Sequence, residues 1–251
     1  MNKFSKSIIK ECSDEPVRLN KYLSDAGFCS RREADRLIEN GKVFINESKA
    51  LLGQKVFIDD EVTVDGKIIK PNDEMILIAF NKPVGVECTT DLNNPDNIID
   101  YIKYPLRIYP IGRLDKNSSG LILLTNTGEI VNKILKSSNY HEKEYVVKVD
   151  KPLTKDFLTN MKNGVEIFLD DGAKKVLTRS CFIEAIDKCS FRIILTQGYN
   201  RQIRRMCQTL GYNVLSLNRV RIMNINLGNL PLGHYRNVSE TEIKKLLSSL
   251  K

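Results

Sequence analysis

Residues 112–128, which read GRLDKNSSGLILLTNTG, are the most informative segment of the sequence. Two glycines, Gly112 and Gly120, bracket a turn-rich loop with one carboxylate, Asp115, near its centre. Residues 121–124 then form a fully apolar run, which is typical of a buried strand. An aspartate in a loop is most often a turn-former. Because the apolar strand that follows directly would hold the loop rigidly, Asp115 is also a candidate catalytic residue.

Runs on both sides of this loop predict further strands. Residues 75–80 are continuously apolar and residues 144–149 alternate, while residues 181–186 and 191–196 can pair as a hairpin. Strands interspersed with few helices predict an α+β fold with a mixed, mainly antiparallel sheet.

The N-terminal region has a pattern of its own. Leu19 and Leu23 share a helical face that ends at Gly27, and Ser30 with Glu33 forms a capping-box pattern that begins a second helix. Three short β-rich runs follow. Two helices and a small sheet can carry an RNA-binding module. Its expected phosphate contacts are Arg18, Lys21, Arg31, Arg32 and Arg36, although each of them could equally be a solvated surface residue.

These patterns predict three segments. Residues 1–16 are expected to form a flexible tail, residues 17–72 the small RNA-binding domain, and residues 75–251 the larger domain. The acidic, proline-containing stretch at 70–74 is interpreted as the linker.

The composition is that of an ordinary globular protein, with 41% hydrophobic and 28% charged residues. No run of eighteen apolar residues predicts a membrane span, and the N-terminus lacks the apolar core of a signal peptide. We therefore expect a cytoplasmic protein. The six cysteines include no C-x-x-C pair and there are only two histidines, so no metal site is expected.

The formal charge of +8 is unevenly distributed. Residues 188–239 contain no Asp or Glu. The cations of this stretch are Lys188, Arg192, Arg201, Arg204, Arg205, Arg219, Arg221 and Arg236. Phosphate binding is the simplest reason for such a distribution.

Residues 200–211 predict an amphipathic helix in this basic stretch. Arg201, Arg204 and Arg205 fall on one helical face. Three arginines without a paired carboxylate repel one another, which favours a face directed at phosphates or at a carboxylate from elsewhere. In the predicted strand at 144–149, Tyr145 could be part of the core or a stacking platform for an unstacked base.

Three segments in this order, GRLDKNSSGLILLTN, HEKEYVV and QGYNRQIRRMC, resemble the RsuA-type RNA pseudouridine synthases, which carry a uS4-like domain ahead of a catalytic domain. The resemblance runs from residue 17 to about 247 and is strongest to the RluF branch, which acts on large-subunit ribosomal RNA. It implies that Asp115 is the catalytic carboxylate, that Tyr145 packs against the flipped uracil, and that Arg204 pairs with Asp115.

Pseudouridylation fits these residue types. It moves the ribose from a ring nitrogen of uracil to ring carbon 5, so this isomerisation requires no cofactor, and neither a G-x-G-x-x-G loop nor a P-loop is present. The uracil has to be flipped out of its stack, and Arg113 is expected to fill the gap. The other expected RNA contacts in the larger domain are Lys82, Arg201, Arg205, Arg219 and Arg221.

The implied partner is large-subunit ribosomal RNA, with a transfer RNA as a further candidate and a monomeric enzyme expected. Two alternatives remain at this point. A non-catalytic RNA-binding or ribosome-assembly protein would not need Asp115. A methyltransferase would need a glycine-rich cofactor loop, which the chain lacks.

Overall fold

The structure is a computed structural model that describes residues 4–5, 15–71, 74–136, 140–169 and 174–250. Most of the predicted N-terminal tail and residues 72–73 of the predicted linker lie outside the described residues. The chain divides into two compact units. The first comprises Met1–Ile76, Tyr104–Tyr109 and Thr125–Ile130, and the second comprises Leu77–Lys103, Pro110–Leu124 and Val131–Lys251.

The first unit contains two helices and short strands. In chain order these are β1 (Phe4–Ser5), β2 (Val17–Arg18), α1 (Leu19–Asp25), α2 (Arg31–Glu39), β3 (Val43–Ile45), β4 (Ser48–Lys49), β5 (Lys55–Val56), β6 (Val62–Val64), β7 (Lys67–Ile68) and β8 (Glu74–Met75). Four of them form an antiparallel sheet in the order β4-β3-β6-β7.

The two predicted helices of this unit are confirmed. Leu19 and Leu23 of α1 are buried, and Gly27 follows the helix with a left-handed φ of 80°. Oγ of Ser30 accepts a hydrogen bond from the amide of Glu33 at 3.1 Å, which caps α2. The buried faces of both helices share one apolar core with the valines of β3 and β6, so each helix is held by packing more than by its own propensity.

The second unit holds the larger sheet. The elements that lie wholly or partly in it are β9 (Leu77–Lys82), α3 (Ile98–Ile102), β10 (Tyr109–Ile111), β11 (Ser119–Thr125), α4 (Gly128–Leu135), β12 (Lys143–Val149), α5 (Lys155–Asn163), β13 (Glu166–Leu169), β14 (Lys174–Leu177), β15 (Phe182–Ala185), β16 (Ser190–Leu195), α6 (Gln202–Thr209), β17 (Val214–Ile222), β18 (Ile225–Asn226), β19 (Tyr235–Asn237) and α7 (Glu240–Ser248). No described helix is both long and apolar enough to cross a membrane.

The main sheet runs in the order β15-β16-β12-β17-β11-β9-β19, with β10 added beside β11 and β18 beside β17. The pairs β15/β16, β16/β12, β12/β17 and β9/β19 are antiparallel, whereas β11 and β17 are parallel. The predicted hairpin of β15 and β16 and the predicted α+β class with a mixed, mainly antiparallel sheet are therefore confirmed.

Gly120 allows β11 and β17 to meet closely. A Cβ at Gly120 would lie 2.2 Å from Oδ1 of Asn218 and 2.3 Å from the carbonyl oxygen of Arg219, and the residue has φ = +104°. Since no other residue type fits both the space and the backbone angle, the second glycine of the Asp115 loop fixes where that loop joins the sheet.

Helix α6 differs from the prediction at its start. Ile203, Met206 and Cys207 are buried in a core shared with α5, β12 and β16, as the amphipathic pattern predicts. Arg201, however, lies outside the helix at its N-cap, in the left-handed region with φ = 52°. It therefore leaves the helical row on which Arg204 and Arg205 lie.

Candidate active site

The loop that carries Asp115 is anchored on both sides. The amide of Ser118 donates to the carbonyl of Asp115 at 3.0 Å, which closes a turn. The amide of Leu114 donates to Sγ of Cys88 at 3.3 Å. Nζ of Lys116 lies 3.3 Å from Glu87 and 2.6 Å from Asp96. These contacts fix the backbone on either side of the carboxylate.

Arg204 connects α6 to this loop. Its Nη2 donates to the carbonyl of Asn117 at 2.7 Å and to Oγ of Ser118 at 3.2 Å, and its Nη1 donates to the carbonyl of Val214 at 3.2 Å. Its Nε lies 3.6 Å from Oδ2 of Asp115. Burial, together with the neighbouring Arg201, lowers the pKa of Arg204 from its usual value, and Asp115 partly offsets this.

A second guanidinium lies near the same carboxylate. Nη1 of Arg201 is 3.8 Å from Oδ2 of Asp115. The side chain of Arg201 is 47% exposed, against 14% for Arg204. Asp115 therefore lies between one solvent-facing cation and one mostly buried cation, and the buried cation interacts more strongly because water screens it less.

A cavity of about 570 Å³ opens beside Asp115. Its wall includes Arg113 and Asp115 from the loop, Tyr145 from β12, Arg219 from β17 and Gln197 from the segment before α6. The volume lies within the range of small-molecule sites in proteins, so it can take a single flipped base with part of its ribose.

The ladder between β12 and β17 places the inner side chains of this cavity. Tyr145 pairs directly with Arg219, while Lys143 pairs with Ile222, and the register shifts between Glu144 and Tyr145. Side chains two residues apart lie on one face of a strand, and directly paired residues lie on the same face of a sheet. Lys143, Tyr145 and Arg219 therefore point to one side, and all three line the cavity.

Two buried donors on the cavity wall have no partner among the described residues. Nε of Arg219 donates to the carbonyl of Leu121 at 2.6 Å, but its Nη2 is unpaired within the described chain. Nε2 of Gln197 is unpaired in the same sense. Arg219 is 3% exposed and Gln197 is 7% exposed. Because unpaired buried donors are costly, both point to a hydrogen-bonding ligand.

Family models match both parts of the chain. Residues 76–209 match the RNA pseudouridylate synthase family, and residues 17–62 match the S4 domain. The chain belongs to the RNA pseudouridine synthase family. This membership makes it an RNA-modifying isomerase with an S4 domain, and neither a pure RNA-binding protein nor a methyltransferase is favoured.

Curated relatives are similar to this chain over nearly its whole length. The chain is 50% identical to the dual-specificity RNA pseudouridine synthase RluF of Salmonella typhi over 233 residues, and this alignment covers 92% of this chain and 78% of that protein. It is 35% identical over 236 residues to the ribosomal large subunit pseudouridine synthase B of Bacillus subtilis, covering 91% and 95% of the two chains. A crystal structure of a pseudouridylate synthase aligns with a TM-score of 0.67 at 27% identity, over 92% of this chain and 99% of the other.

Several expected RNA contacts of the synthase are engaged within the protein. Lys82 is fully buried, and its Nζ donates to the carbonyls of Pro83 at 2.8 Å and Val86 at 2.7 Å. Arg221 lies 2.9 Å from Glu142 and 2.7 Å from Glu144. Both cations thus hold protein segments together in this structure.

Arg205 and Lys21 also have protein partners. Arg205 donates to the carbonyl of Phe168 in β13. Within the first unit, Nζ of Lys21 lies 3.1 Å from Asp25 and 3.2 Å from Glu129. Burial lowers the pKa of Lys21, but the two carboxylates outweigh it and raise the pKa.

Arg219, also an expected RNA contact, is buried at 3% exposure, whereas the remaining expected contacts reach solvent. In the first unit these are Arg18, Arg31, Arg32 and Arg36, all exposed; in the second unit Arg113 and Arg201 are exposed on the wall of the cavity. Arg36 lies 3.3 Å from Glu33 on the same helix, a surface pair that contributes little to stability.

Lys143 and Gln197 were not predicted from the sequence. The alternation of residues 143–149 was the available signal for Lys143, since it puts this residue on the same face as Tyr145. No comparable signal exists for Gln197, because it lies in a loop whose course depends on the surrounding sheet.

Proposed function

We propose that this synthase isomerises a uridine in large-subunit ribosomal RNA and accepts a transfer RNA uridine as a second substrate, acting in the cytoplasm as a monomer. The relatives support the substrates: the Salmonella protein is named a dual-specificity enzyme, and the Bacillus protein is named for the large ribosomal subunit. No cofactor is required, because the product is an isomer of the substrate.

Asp115 is the proposed catalytic carboxylate. The observation that carries this assignment is that Asp115 shares one cavity with Tyr145 and has two guanidiniums within 4 Å. The two guanidiniums hold the carboxylate at the cavity wall, where Asp115 can act as nucleophile or as base.

Tyr145 is proposed to pack against the flipped uracil and Arg204 to hold Asp115 in position. Tyr145 is half-buried on the face of β12 that lines the cavity, so its ring can cover a base on one side and exclude water. Arg113, exposed on the rim, is proposed to fill the space that the base leaves in the RNA. The exposed arginines Arg18, Arg31, Arg32, Arg36 and Arg201, with Arg205, are the proposed phosphate contacts.

The substrate is tested by mapping pseudouridines in a strain from which the gene has been deleted. We expect one position in large-subunit ribosomal RNA and one in a transfer RNA to lose the modification, and a plasmid copy to restore both. A plasmid encoding Asp115→Asn is the matched control and should restore neither. Loss confined to small-subunit RNA, or no loss at all, would contradict the proposed substrate.

A further inference from the structure

Lys143 is a half-buried amine on the wall of the cavity with no counter-charge among the described residues. Its Nζ donates to the carbonyl of His141 at 3.2 Å, and no carboxylate of the described residues lies within 4 Å of it. Burial, together with the neighbouring Arg219, lowers the pKa of Lys143 to about 8. An ammonium has three N–H donors, so the contact with His141 leaves donors for a ligand.

Arg219 also has an unused hydrogen-bond donor and no counter-charge among the described residues. It is almost fully buried, it is opposite Tyr145 in the β12/β17 ladder, and its Nη2 has no partner within the described chain. Two neighbouring cations with unused donors, on the same sheet face as the tyrosine, form an arrangement that an anionic oxygen would stabilise.

The carboxylates of the cavity wall do not meet this need. Glu87 is paired with Lys116 at 3.3 Å, and Asp115 lies within 4 Å of Arg201 and Arg204. The other charged groups on the wall are the cations Arg113 and Lys136, with His141, Cys88, Tyr145 and Tyr199 as further titratable side chains. The inner wall is therefore cationic before any ligand binds.

We propose that Lys143 and Arg219 form a subsite that holds a carbonyl oxygen of the uracil while the detached base carries negative charge. The inference rests on the proposed role of this cavity as the uracil site. When the N1–C1′ bond breaks, its electron pair stays with the ring and is shared by N1, O2 and O4. Asp115 compensates the positive charge left on the ribose.

The base then turns, C5 forms the new bond to C1′, C5 loses its proton and N1 gains one. The charge on the ring therefore exists only between the two bonds, and Lys143 transfers no proton. A cation that binds this charged intermediate more strongly than it binds neutral uracil accelerates the reaction.

The experiment compares Lys143→Met, Lys143→Arg and Lys148→Met in single-turnover pseudouridine formation. Lys148 lies on the same strand and is exposed, so it is the matched control. We expect Lys143→Met to lower the rate at saturating RNA on the order of 10²-fold, as for loss of one oxyanion donor. Its RNA affinity and the rate of Lys148→Met should stay near those of the wild type.

The pH profile gives an independent readout. Lys143 is charged below a pH of about 8 and neutral above it, so the wild-type rate at limiting RNA should fall as the pH rises through this value. In Lys143→Arg this fall should disappear, because arginine stays charged. Lys143→Met should have a low rate at every pH, without this fall. This profile remains decisive even if the methionine variant folds poorly.

Three results would overturn the inference. They are a normal saturated rate in Lys143→Met, a loss of RNA affinity alone, which would indicate a phosphate contact, and an unchanged alkaline fall in Lys143→Arg. The wild type and Asp115→Asn are assayed on the same RNA. An inactive wild type or an active Asp115→Asn would contradict the proposed function. An active wild type with an inactive Asp115→Asn would leave the proposed function standing, so that the Lys143 results test the subsite alone.

Discussion

Arg204 holds Asp115 by its charge and the Asp115 loop by its hydrogen bonds. Nε of Arg204 lies 3.6 Å from Oδ2 of Asp115, while Nη2 of the same side chain donates to the carbonyl of Asn117 at 2.7 Å. One residue of α6 thus fixes both the position of a carboxylate and the path of the backbone behind it.

Arg204→Ala should therefore lower the rate at saturating RNA by on the order of 10²-fold. Arg204→Lys should rescue it only in part, because an ammonium cannot reproduce the planar set of donors. Arg201→Ala and Arg205→Ala should mainly weaken RNA binding and its salt dependence. Single-turnover kinetics over a range of RNA concentrations distinguishes rate from affinity. Equal loss of saturated rate in all three alanine variants would refute this division.

Gly120→Ala should destabilise the protein strongly. Its Cβ would meet Asn218 and the backbone of Arg219 at 2.2–2.6 Å, a clash that should cost at least about 2 kcal/mol beyond the strain of the backbone angle. Gly53→Ala is the matched control, because Gly53 also has a positive φ of 77° but nothing within 4 Å. Thermal unfolding of both variants measures the difference, and equal shifts in Tm would show that the close approach is relieved.

Local sequence patterns predict much of the fold. The Ser30 cap, the buried face of α6 and the apolar run in β11 follow from side-chain spacing, and each is confirmed. The register of β12 against β17, including its irregularity after Glu144, depends on strands about 70 residues apart in sequence. No local pattern encodes that pairing, and for this reason Lys143 and Arg219 could not be placed beside each other beforehand.

The distribution of charged residues along the sequence also differs from their pairing in the folded protein. The acid-free stretch at 188–239 predicted a phosphate-binding surface, yet Arg192, Arg221 and Arg236 in it pair with carboxylates from other parts of the sequence. Glu142 and Glu144 come from a distant strand, whereas Glu184 and Glu242 lie just outside the stretch, close in sequence to their arginines. A run of one sign therefore indicates an unpaired surface only after its tertiary partners are known.

The start of α7 should make stability depend on acid pH. Hydrogen bonds from Arg236, with further contacts from Ser239, lower the pKa of Glu242 from 4.5 to about 2. A carboxyl with a depressed pKa stabilises the fold above its unfolded pKa, and this contribution is lost as the pH falls through the folded value. Glu242→Gln should thus reduce the urea midpoint at pH 6, and the gap to wild type should narrow between about pH 4.5 and pH 2. Glu240→Gln, in an exposed pair with Lys244, should show little gap; a constant gap for Glu242→Gln would contradict the assignment.

The exposed arginines of the first unit should act on binding alone. Replacing Arg31, Arg32 and Arg36 together by Gln should weaken RNA affinity and reduce its salt dependence, because each phosphate contact releases counterions. The saturated rate should stay unchanged. Lys244→Gln with Lys245→Gln, on α7, is the control for charge removed elsewhere. Titrations at two salt concentrations measure the slope, and a triple variant with normal affinity would remove this unit from the proposed RNA contacts.

The most direct test of the central claim is pseudouridine formation by Asp115→Asn, measured by tritium release or by a mass-based assay under single-turnover conditions at saturating RNA. The substitution removes the charge and keeps the volume, so fold and RNA affinity should persist. We predict no detectable turnover from a variant that binds RNA as tightly as the wild type. Turnover clearly above background would contradict Asp115 as the catalytic carboxylate.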